Sequence, residues 1–388
     1  MKRKIIYFWF FVILNLSFGP VLFNVDASVD SLIKVLVNKV SADSLDSTLR
    51  RMVTFNTRFA GSDSNTASKN YLAERLRDER YLKIQIDTFT VNIDRQMLDK
   101  RFLVQDLEQW NLVAKKPGVL FPEKQIVLGA HYDSISIDRN PEDQDLAPGA
   151  DDNGSGVAAL LEIIRILKRV DLDVTVVFVL FGAEELGLIG SRAYVSRAQK
   201  RGDQIVMMLQ LDSIGSRSNL FPDAFTIDTI GPYLPQAKII AKAAEDYTEI
   251  RGRTISGEQV LITSRGCQCS DHQSFIDAGY PGIGIFQYIG NPENHLNRSI
   301  DTLDQVDILM VEEVTRAVLA AVAQMAGFPG RSPDFNGDGK VGFKDFLQFS
   351  RAFGRKTADA LQYDLDRNGV VGFSDFLIFA ERFGEVRG

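Results

Sequence analysis

Apolar residues follow two alternating patterns along the middle of the chain. Short apolar runs bounded by Gly or polar residues alternate with longer segments in which apolar residues recur every three to four positions. This alternation predicts an α/β fold, a mixed sheet between helical layers in a three-layer α/β/α domain. The predicted strands are Leu82 to Val91, Asn111 to Lys115, Gln125 to Tyr132, Val174 to Phe181, Ile205 to Leu211, Ala224 to Ile230 and Gly282 to Tyr288.

The helical segments carry one apolar face each. About 300 residues of this alternating pattern are enough for one large core. The predicted helices are Ala67 to Asp78, Gly156 to Arg169, Ser191 to Lys200, Pro235 to Tyr247 and Val306 to Met325.

The amino-terminal segment has the pattern of a secretory signal peptide. Met1 to Lys4 is basic, Ile5 to Leu14 is apolar, and Val25 to Ala27 supplies a small-residue cleavage site. We therefore predict a signal peptide over residues 1–27 and a secreted protein, extracellular or periplasmic; an uncleaved anchor is the alternative. Removing residues 1–27 takes away three basic residues and one acidic residue, so the net charge changes from −7 to −9. This charge disfavours nucleic acid and anionic membranes as partners.

A second module is predicted after a Pro/Gly linker at residues 328–333, and it covers residues 334–388. A 13-residue segment beginning at Asp334 recurs 30 residues later, beginning at Asp364. Each copy has the oxygen-donor spacing of a calcium loop and is followed by an apolar helix. We expect two calcium ions, held by Asp334, Asn336, Asp338, the Lys340 carbonyl and Asp345, and by Asp364, Asp366, Asn368, the Val370 carbonyl and Asp375.

Acidic and imidazole groups stand where the apolar strands end. Glu184 and Glu185 come just after one strand, His131 and Asp133 end another, and Asp212 follows a third. Each residue alone has a structural interpretation, as a cap, a turn residue or a core histidine. Their joint occurrence at strand ends indicates a catalytic or metal site, because ligands of α/β sheets bind at that edge.

The histidine count limits any metal site. The chain has three histidines, and a site for two first-row metal ions favours an imidazole on each ion and a bridging carboxylate. His272 and His295 are the two that could partner His131.

Five motifs, taken in order, resemble the two-zinc exopeptidases of the bacterial leucyl aminopeptidase type. The resemblance covers residues 45 to 327 and implies that residues 28–327 form a zinc exopeptidase domain. The motifs are Gly129 to Asp133, Pro148 to Gly156, Phe181 to Val195, Leu211 to Gly215, and Ser270 to His272 with Ala278 to Pro281.

The resemblance also implies a role for each residue. Two zinc ions share a bridging carboxylate, a base acts beside them, and a further carboxylate supports a histidine ligand. The implied zinc ligands are His131 and Asp212 on one ion, Glu185 and His295 on the other, and Asp151 between them; Glu184 is the general base and Asp133 the partner of His131.

The last ligand departs from the family pattern. The family has a His-x-x-x-Asp-Thr spacing, whereas His295 lies six residues before Asp301. His272 is the competitor, but it stands in a Ser-Asp-His motif whose histidine is not a ligand in the family. In the related peptidases the bridging aspartate precedes a cis peptide, so we also predict a cis bond between Asp151 and Asp152.

The duplicated loops resemble a dockerin-type module. The recognition positions carry Phe343-Lys344 and Phe373-Ser374 in place of the hydroxyl pairs common in that family. Two interpretations stay open, a cohesin-like partner or a calcium-stabilised cap without one. Cys267 and Cys269 also leave two alternatives, a strained bridge or two free thiols.

The predicted function is therefore a secreted exopeptidase, an aminopeptidase acting on peptides. A carboxypeptidase and a glutaminyl cyclase of the same superfamily are the enzymatic alternatives. A non-catalytic binding protein that acts through its calcium module is the alternative of another class.

Overall fold

One eight-stranded mixed sheet lies at the centre of the fold between residues 27 and 328. The computed structural model describes residues 27–77, 82–97, 100–138, 146–219, 221–254, 270–287, 295–328, 333–357, 360, 363–365 and 370–384. The strand order is β1-β2-β4-β3-β5-β8-β6-β7. The strands are β1 Lys83–Met97, β2 Lys100–Lys116, β3 Phe121–His131, β4 Val174–Phe181, β5 Gln204–Leu211, β6 Ala224–Asp228, β7 Arg251–Thr254 and β8 Gly282–Gln287.

Helices cover both faces of this sheet, and two more belong to the carboxy-terminal segment. The helices are α1 Ala27–Val37, α2 Ala42–Val53, α3 Asp63–Arg77, α4 Gly156–Leu167, α5 Ile189–Arg201, α6 Leu234–Tyr247, α7 His272–Asp277, α8 Ile308–Ala326, α9 Phe343–Ala352 and α10 Phe373–Glu381.

The middle of the sheet is parallel. β4, β3, β5 and β8 run in the same direction, with β3 hydrogen-bonded to both β4 and β5. Strands buried on both faces are expected to be continuously apolar, and Val174–Phe181 is of this kind. Because parallel neighbours end at the same edge, the residues after these strands are brought together.

Alternate residues of β3 pack into opposite helical layers. Ile126 and Leu128 belong to the core cluster that contains α4 and α8, whereas Val127 belongs to the cluster that contains Tyr194 of α5 and Phe275 of α7. The two clusters lie on opposite faces because successive side chains of a strand alternate. The predicted mixed α/β/α sheet domain is confirmed.

The seven predicted strands and five predicted helices are present. Most of their ends are shifted by a few residues, but β2 begins at Lys100, eleven residues before the predicted start at Asn111. The sequence pattern did not predict β7, which has four residues, or the helices α1, α2 and α7. The predicted end of β1 is Val91, although the strand continues to Met97 and pairs with a longer β2. Beyond Val91 the polar Asn92 and Asp94 weaken the apolar signal, and backbone pairing decides the boundary there.

The two apolar helices after the repeated loops pack against each other. Phe349 of α9 and Phe379 of α10 are buried, and their ring centroids lie 5.6 Å apart. Asp345 accepts a hydrogen bond from the Gly342 N–H, and Asp375 accepts one from the Gly372 N–H. Each carboxylate therefore caps the first turn of its helix.

Several predictions concern residues outside the described ranges. These are residues 1–26 of the signal peptide, residues 329–332 of the linker, the pair Cys267 and Cys269, and the calcium ligands Asp366 and Asn368. Within the described ranges, no helix has the length and apolar character to cross a bilayer.

Candidate active site

Three neighbouring strands deliver chemical groups to one edge of the sheet. β3 ends at His131, β4 is followed by Glu184 and Glu185, and β5 is followed by Asp212. The order β4-β3-β5 places these ends side by side. The predicted convergence of His131, the Glu pair and Asp212 is therefore present.

His131 stands at the centre of a buried cluster with two aspartates. Its Nε2 atom lies 3.1 Å from Oδ1 of Asp152 and 3.3 Å from Oδ1 of Asp212. One donor atom of each residue lies within 4.8 Å of the others, and all three residues are buried. One imidazole nitrogen and two carboxylate oxygens are a donor set that suits a catalytic zinc ion.

The structure places the carboxylate of Asp152, and not that of Asp151, next to His131; the bridging role expected for Asp151 stays a prediction. Oδ1 of Asp151 accepts the Gly215 N–H at 2.7 Å, and its Oδ2 accepts the Ser216 hydroxyl at 3.0 Å. The Asp151 carboxylate is therefore hydrogen-bonded to the segment that follows β5. The predicted cis bond is misplaced by one residue, because the cis peptide joins Asp152 to Asn153.

Asp301 holds the Asp151-Asp152 backbone from the other side of the site. Its two carboxylate oxygens accept the N–H groups of Asp151 and Asp152, each at 2.9 Å. Burial, followed by the negative charge of Asp151, raises the pKa of Asp301 to about 8. Asp301 thus fixes the direction in which the Asp152 side chain leaves the loop.

Arg58 fixes the start of the same loop. Its guanidinium is fully buried and donates to the carbonyl oxygens of Tyr132 at 2.7 Å, Pro148 at 2.5 Å and Gly149 at 2.9 Å. Burial lowers its pKa to about 10, so the group stays charged at neutral pH. One buried cation therefore joins the end of β3 to the loop that carries Asp152.

Asp133 supports both His131 and the Glu pair. Nδ1 of His131 lies 3.2 Å from the Asp133 carbonyl oxygen and 3.7 Å from its Oδ1. The Asp133 carboxylate accepts the backbone N–H groups of Glu184 and Glu185, each at 3.1 Å. This arrangement is consistent with an orienting role for Asp133 and extends it to the two glutamates.

Glu184 and Glu185 lie close to the same imidazole. One donor atom from each of His131, Glu184 and Glu185 lies within 4.8 Å of the other two. Burial is the largest cause that raises the pKa of both glutamates well above its usual range, and neighbouring carboxylates raise it further. A cation bound here would remove that penalty, because opposite charge favours the ionised form.

Among the described residues, no candidate metal cluster groups His295 with Glu185, and the role of His295 as a zinc ligand stays a prediction. Nε2 of His295 lies 3.1 Å from Oδ2 of Asp151 and 3.3 Å from the Ser216 hydroxyl. His295 belongs to none of the candidate metal clusters found among the described residues. The residue that reaches Glu185 is Asn297, whose Nδ2 atom lies 2.7 Å from Oε1 of Glu185.

The remaining histidine lies elsewhere, as expected from its motif. Nε2 of His272 lies 3.0 Å from Oδ2 of Asp228. Two residues before it, the Ser270 hydroxyl donates to Oδ2 of Asp212. The Ser-Asp-His motif therefore contributes to the site through Ser270, a contact that the sequence analysis missed.

Buried carboxylates around a histidine, at the carboxyl ends of parallel strands, define the site of a metal-dependent hydrolase. The model of peptidase family M28 matches residues 111–322, more than half of the chain. The chain belongs to peptidase family M28. The prediction of a zinc metallopeptidase is confirmed at this level.

The chain is similar to curated aminopeptidases over most of its length. It is 27% identical over 299 residues to a probable aminopeptidase of Saccharomyces cerevisiae, covering 75% of each chain. It is 28% identical over 311 residues to leucine aminopeptidase 1 of Sclerotinia sclerotiorum, covering 76% of this chain and 74% of the relative.

Solved structures share the fold. A LapA aminopeptidase structure from Legionella pneumophila has a TM-score of 0.60 at 19% identity and covers 76% of this chain and 75% of that chain. BSAP, a zinc aminopeptidase from Bacillus subtilis, has a TM-score of 0.58 at 19% identity and covers 74% of this chain and 95% of that chain. At this identity the likeness supports the mixed-sheet fold.

Asp152→Asn and Asp151→Asn form a matched pair that tests which of the two aspartates holds the zinc ion. Asp152→Asn should weaken zinc binding by at least about 10-fold, because it removes a charged donor beside His131. Asp151→Asn should retain zinc, since its carboxylate contacts Gly215 and Ser216. Zinc titration of the metal-free proteins provides the measurement. Loss of zinc from Asp151→Asn, with Asp152→Asn unchanged, would contradict the placement.

Proposed function

We propose that the chain is a secreted zinc aminopeptidase that removes the amino-terminal residue of peptides. One observation carries this proposal: His131, Asp152 and Asp212 form a buried zinc-type ligand set with the Glu184 carboxylate beside it. Membership of a peptidase family and the similarity to proteins named as aminopeptidases support the same conclusion. The basic and apolar residues at the start of the sequence support secretion.

Glu184 is positioned to act as the general base. A zinc ion held by His131, Asp152 and Asp212 would supply Lewis-acid chemistry, lowering the pKa of a water and polarising the scissile carbonyl. Glu184 would accept the proton of the attacking water and deliver it to the departing amine. The N–H of Glu184 donates to Asp133, so the backbone of this residue is fixed beside His131, and the residue is buried.

The charge of the site favours a substrate with a free amino terminus. Glu184 and Glu185 lie beside His131, and the buried cation Arg58 has its donors directed at backbone carbonyls. Carboxylates that do not hold the zinc ion can accept the hydrogens of an α-amine, whereas a carboxypeptidase needs a cation directed at the substrate carboxylate. A carboxypeptidase is therefore disfavoured. The Glu184-Glu185 pair likewise disfavours the cyclase, and a complete base and ligand set disfavours a non-catalytic binding protein.

Blocking the substrate amine tests the aminopeptidase proposal. The full-length protein loaded with zinc should hydrolyse leucyl-p-nitroanilide and should lose activity on its N-acetyl derivative. A peptide blocked at its carboxyl terminus by an amide should still be cleaved from the free amino end. Cleavage of the acetylated peptide from its carboxyl end would instead identify a carboxypeptidase and overturn the proposal.

Glu184→Gln tests the assigned base. The substitution keeps the shape of the side chain and removes its proton acceptor, so kcat should fall by roughly 10² to 10⁴ with zinc content unchanged. Zinc analysis on the same preparation separates this effect from metal loss. Near-normal turnover in Glu184→Gln would show that another group takes the proton.

The first carboxy-terminal loop is proposed to bind one calcium ion, and its repeat a second. Oxygens of Asp334, Asp338 and Asp345 lie within 4.8 Å of one another, in the sequence pattern of a calcium loop. Asp334 and Asp338 also accept backbone N–H groups of the loop, from Gly339 and Lys340. A cohesin-like partner for this module stays a prediction.

Asp345→Ala tests the calcium proposal in the full-length protein. Asp345 is buried and belongs to the first loop, so calcium should raise the unfolding temperature of the carboxy-terminal module less in this variant than in the wild type. Differential scanning calorimetry with and without calcium measures the shift. Lys344→Ala, next to it and outside the proposed ligand set, is the matched control. An equal calcium response in Asp345→Ala and the wild type would contradict the assignment.

A further inference from the structure

The two carboxylate oxygens of Asp152 have different partners. Its Oδ1 atom lies 3.1 Å from Nε2 of His131, while its Oδ2 atom accepts a hydrogen bond from Nδ2 of Asn297 at 2.9 Å. The same Asn297 nitrogen donates to Oε1 of Glu185 at 2.7 Å. One side of the Asp152 carboxylate therefore belongs to the imidazole cluster, and the other side belongs to a group made of Asp152, Glu185 and Asn297.

The backbone around Asn297 holds its amide in this place. Asn297 has a left-handed φ of 54°, a conformation that asparagine tolerates better than most residues. Its carbonyl oxygen accepts the Ile137 N–H at 2.7 Å, and the N–H of Ser299 donates to Asp138 at 2.7 Å. Asp301, four residues after Asn297, is bonded to the backbone of the loop that carries Asp152. The backbone is thus held in place on both sides of Asn297.

His295 contacts a different carboxylate, that of Asp151. It is buried, with its Nε2 atom next to Asp151 and Ser216. Moving its imidazole to Glu185 would leave the buried Asp151 carboxylate without one of its partners, which is costly. Four residues before Asp301-Thr302, where the family pattern has histidine, this chain has asparagine.

We infer that the two cation positions of this site are chemically unequal. His131, Asp152 and Asp212 form a nitrogen-and-oxygen site for zinc, whereas Asp152, Glu185 and the Asn297 amide oxygen form an all-oxygen site for a harder divalent cation such as Mn²⁺. The Asn297 amide can turn its oxygen towards a cation, since its two ends have nearly the same shape. Oxygen donors suit Mn²⁺ and Mg²⁺, and without an imidazole the second site loses its main preference for zinc. The inference rests on the proposed function for the nature of the first site.

The number of zinc ions bound per chain tests whether the two cation positions differ. The untagged full-length protein is loaded with zinc in calcium-containing buffer and dialysed against zinc-free buffer of the same calcium content. Wild type should retain about one zinc ion per chain, and Asn297→His about two, because the substitution introduces an imidazole between Asp152 and Glu185. His295→Gln is the matched control and should retain as much zinc as wild type. The inference is overturned by two zinc ions in wild type with one lost in His295→Gln, or by no gain in Asn297→His.

Manganese binding tests the second site directly. Mn²⁺ is added to protein carrying zinc at the first site, and the free Mn²⁺ signal is followed by electron paramagnetic resonance. Asn297→Ala should weaken Mn²⁺ binding by about 10-fold or more, and Asn297→Asp should preserve or strengthen it because an oxygen donor remains. Unchanged Mn²⁺ affinity in Asn297→Ala overturns the inference, whatever the behaviour of Asn297→Asp.

The two experiments do not depend on peptide hydrolysis. If the metal counts and Mn²⁺ affinities follow the expected order but no peptide is cleaved with either cation, the proposed function is wrong and the inference stands. If leucyl-p-nitroanilide is hydrolysed but His295→Gln loses one of two zinc ions, the inference is wrong and the proposed function stands.

Discussion

Burial of several carboxylates around one imidazole is the constraint on which the rest of the site depends. Asp152, Glu184 and Asp212 are nearly inaccessible to water, and the pKa of both glutamates is raised first by that burial. Such a cluster favours protonated carboxyls unless positive charge is supplied. The same repulsion that makes the unliganded cluster costly gives it affinity for divalent cations, so the metal requirement follows from the fold itself.

The residues that support the cluster are themselves buried and hydrogen-bonded. Arg58 links the end of β3 to the loop at Pro148, and Asp301 holds the N–H groups of Asp151 and Asp152. Both act on backbone atoms, so they determine where side chains point without occupying the site. Asp133 does the same for Glu184 and Glu185. A ligand set is held in catalytic geometry when its supporting contacts are this complete.

The sheet, its strand ends and most of the site residues could be predicted from the sequence. The residues that could not be predicted have a physical reason in common, because their positions depend on contacts that are distant in the sequence. His131, Glu184 and Asp212 were recognisable because each stands at the end of an apolar run or just after it. Choosing between Asp151 and Asp152 required the loop conformation, which is set by contacts with Asp301 about 150 residues away.

The sequence also did not show which side chain of the loop that carries Asn297 reaches Glu185. The number of histidines favoured His295 as the second imidazole ligand, whereas the residue four positions before Asp301 is Asn297. Histidine count indicates which nitrogen donors exist, but only the path of the loop decides which side chain reaches Glu185. The repeated calcium-loop pattern was visible without any such long-range information, since its donors are all local.

The central claim is that Asp152 links an imidazole-containing zinc position to the rest of the site. Crystals of the full-length protein grown with zinc, measured by anomalous diffraction at the zinc edge, test it most directly. The account predicts a strong anomalous peak in contact with His131 Nε2, Asp152 Oδ1 and Asp212. A peak held by Asp151 and His295, with Asp152 turned away, would contradict it.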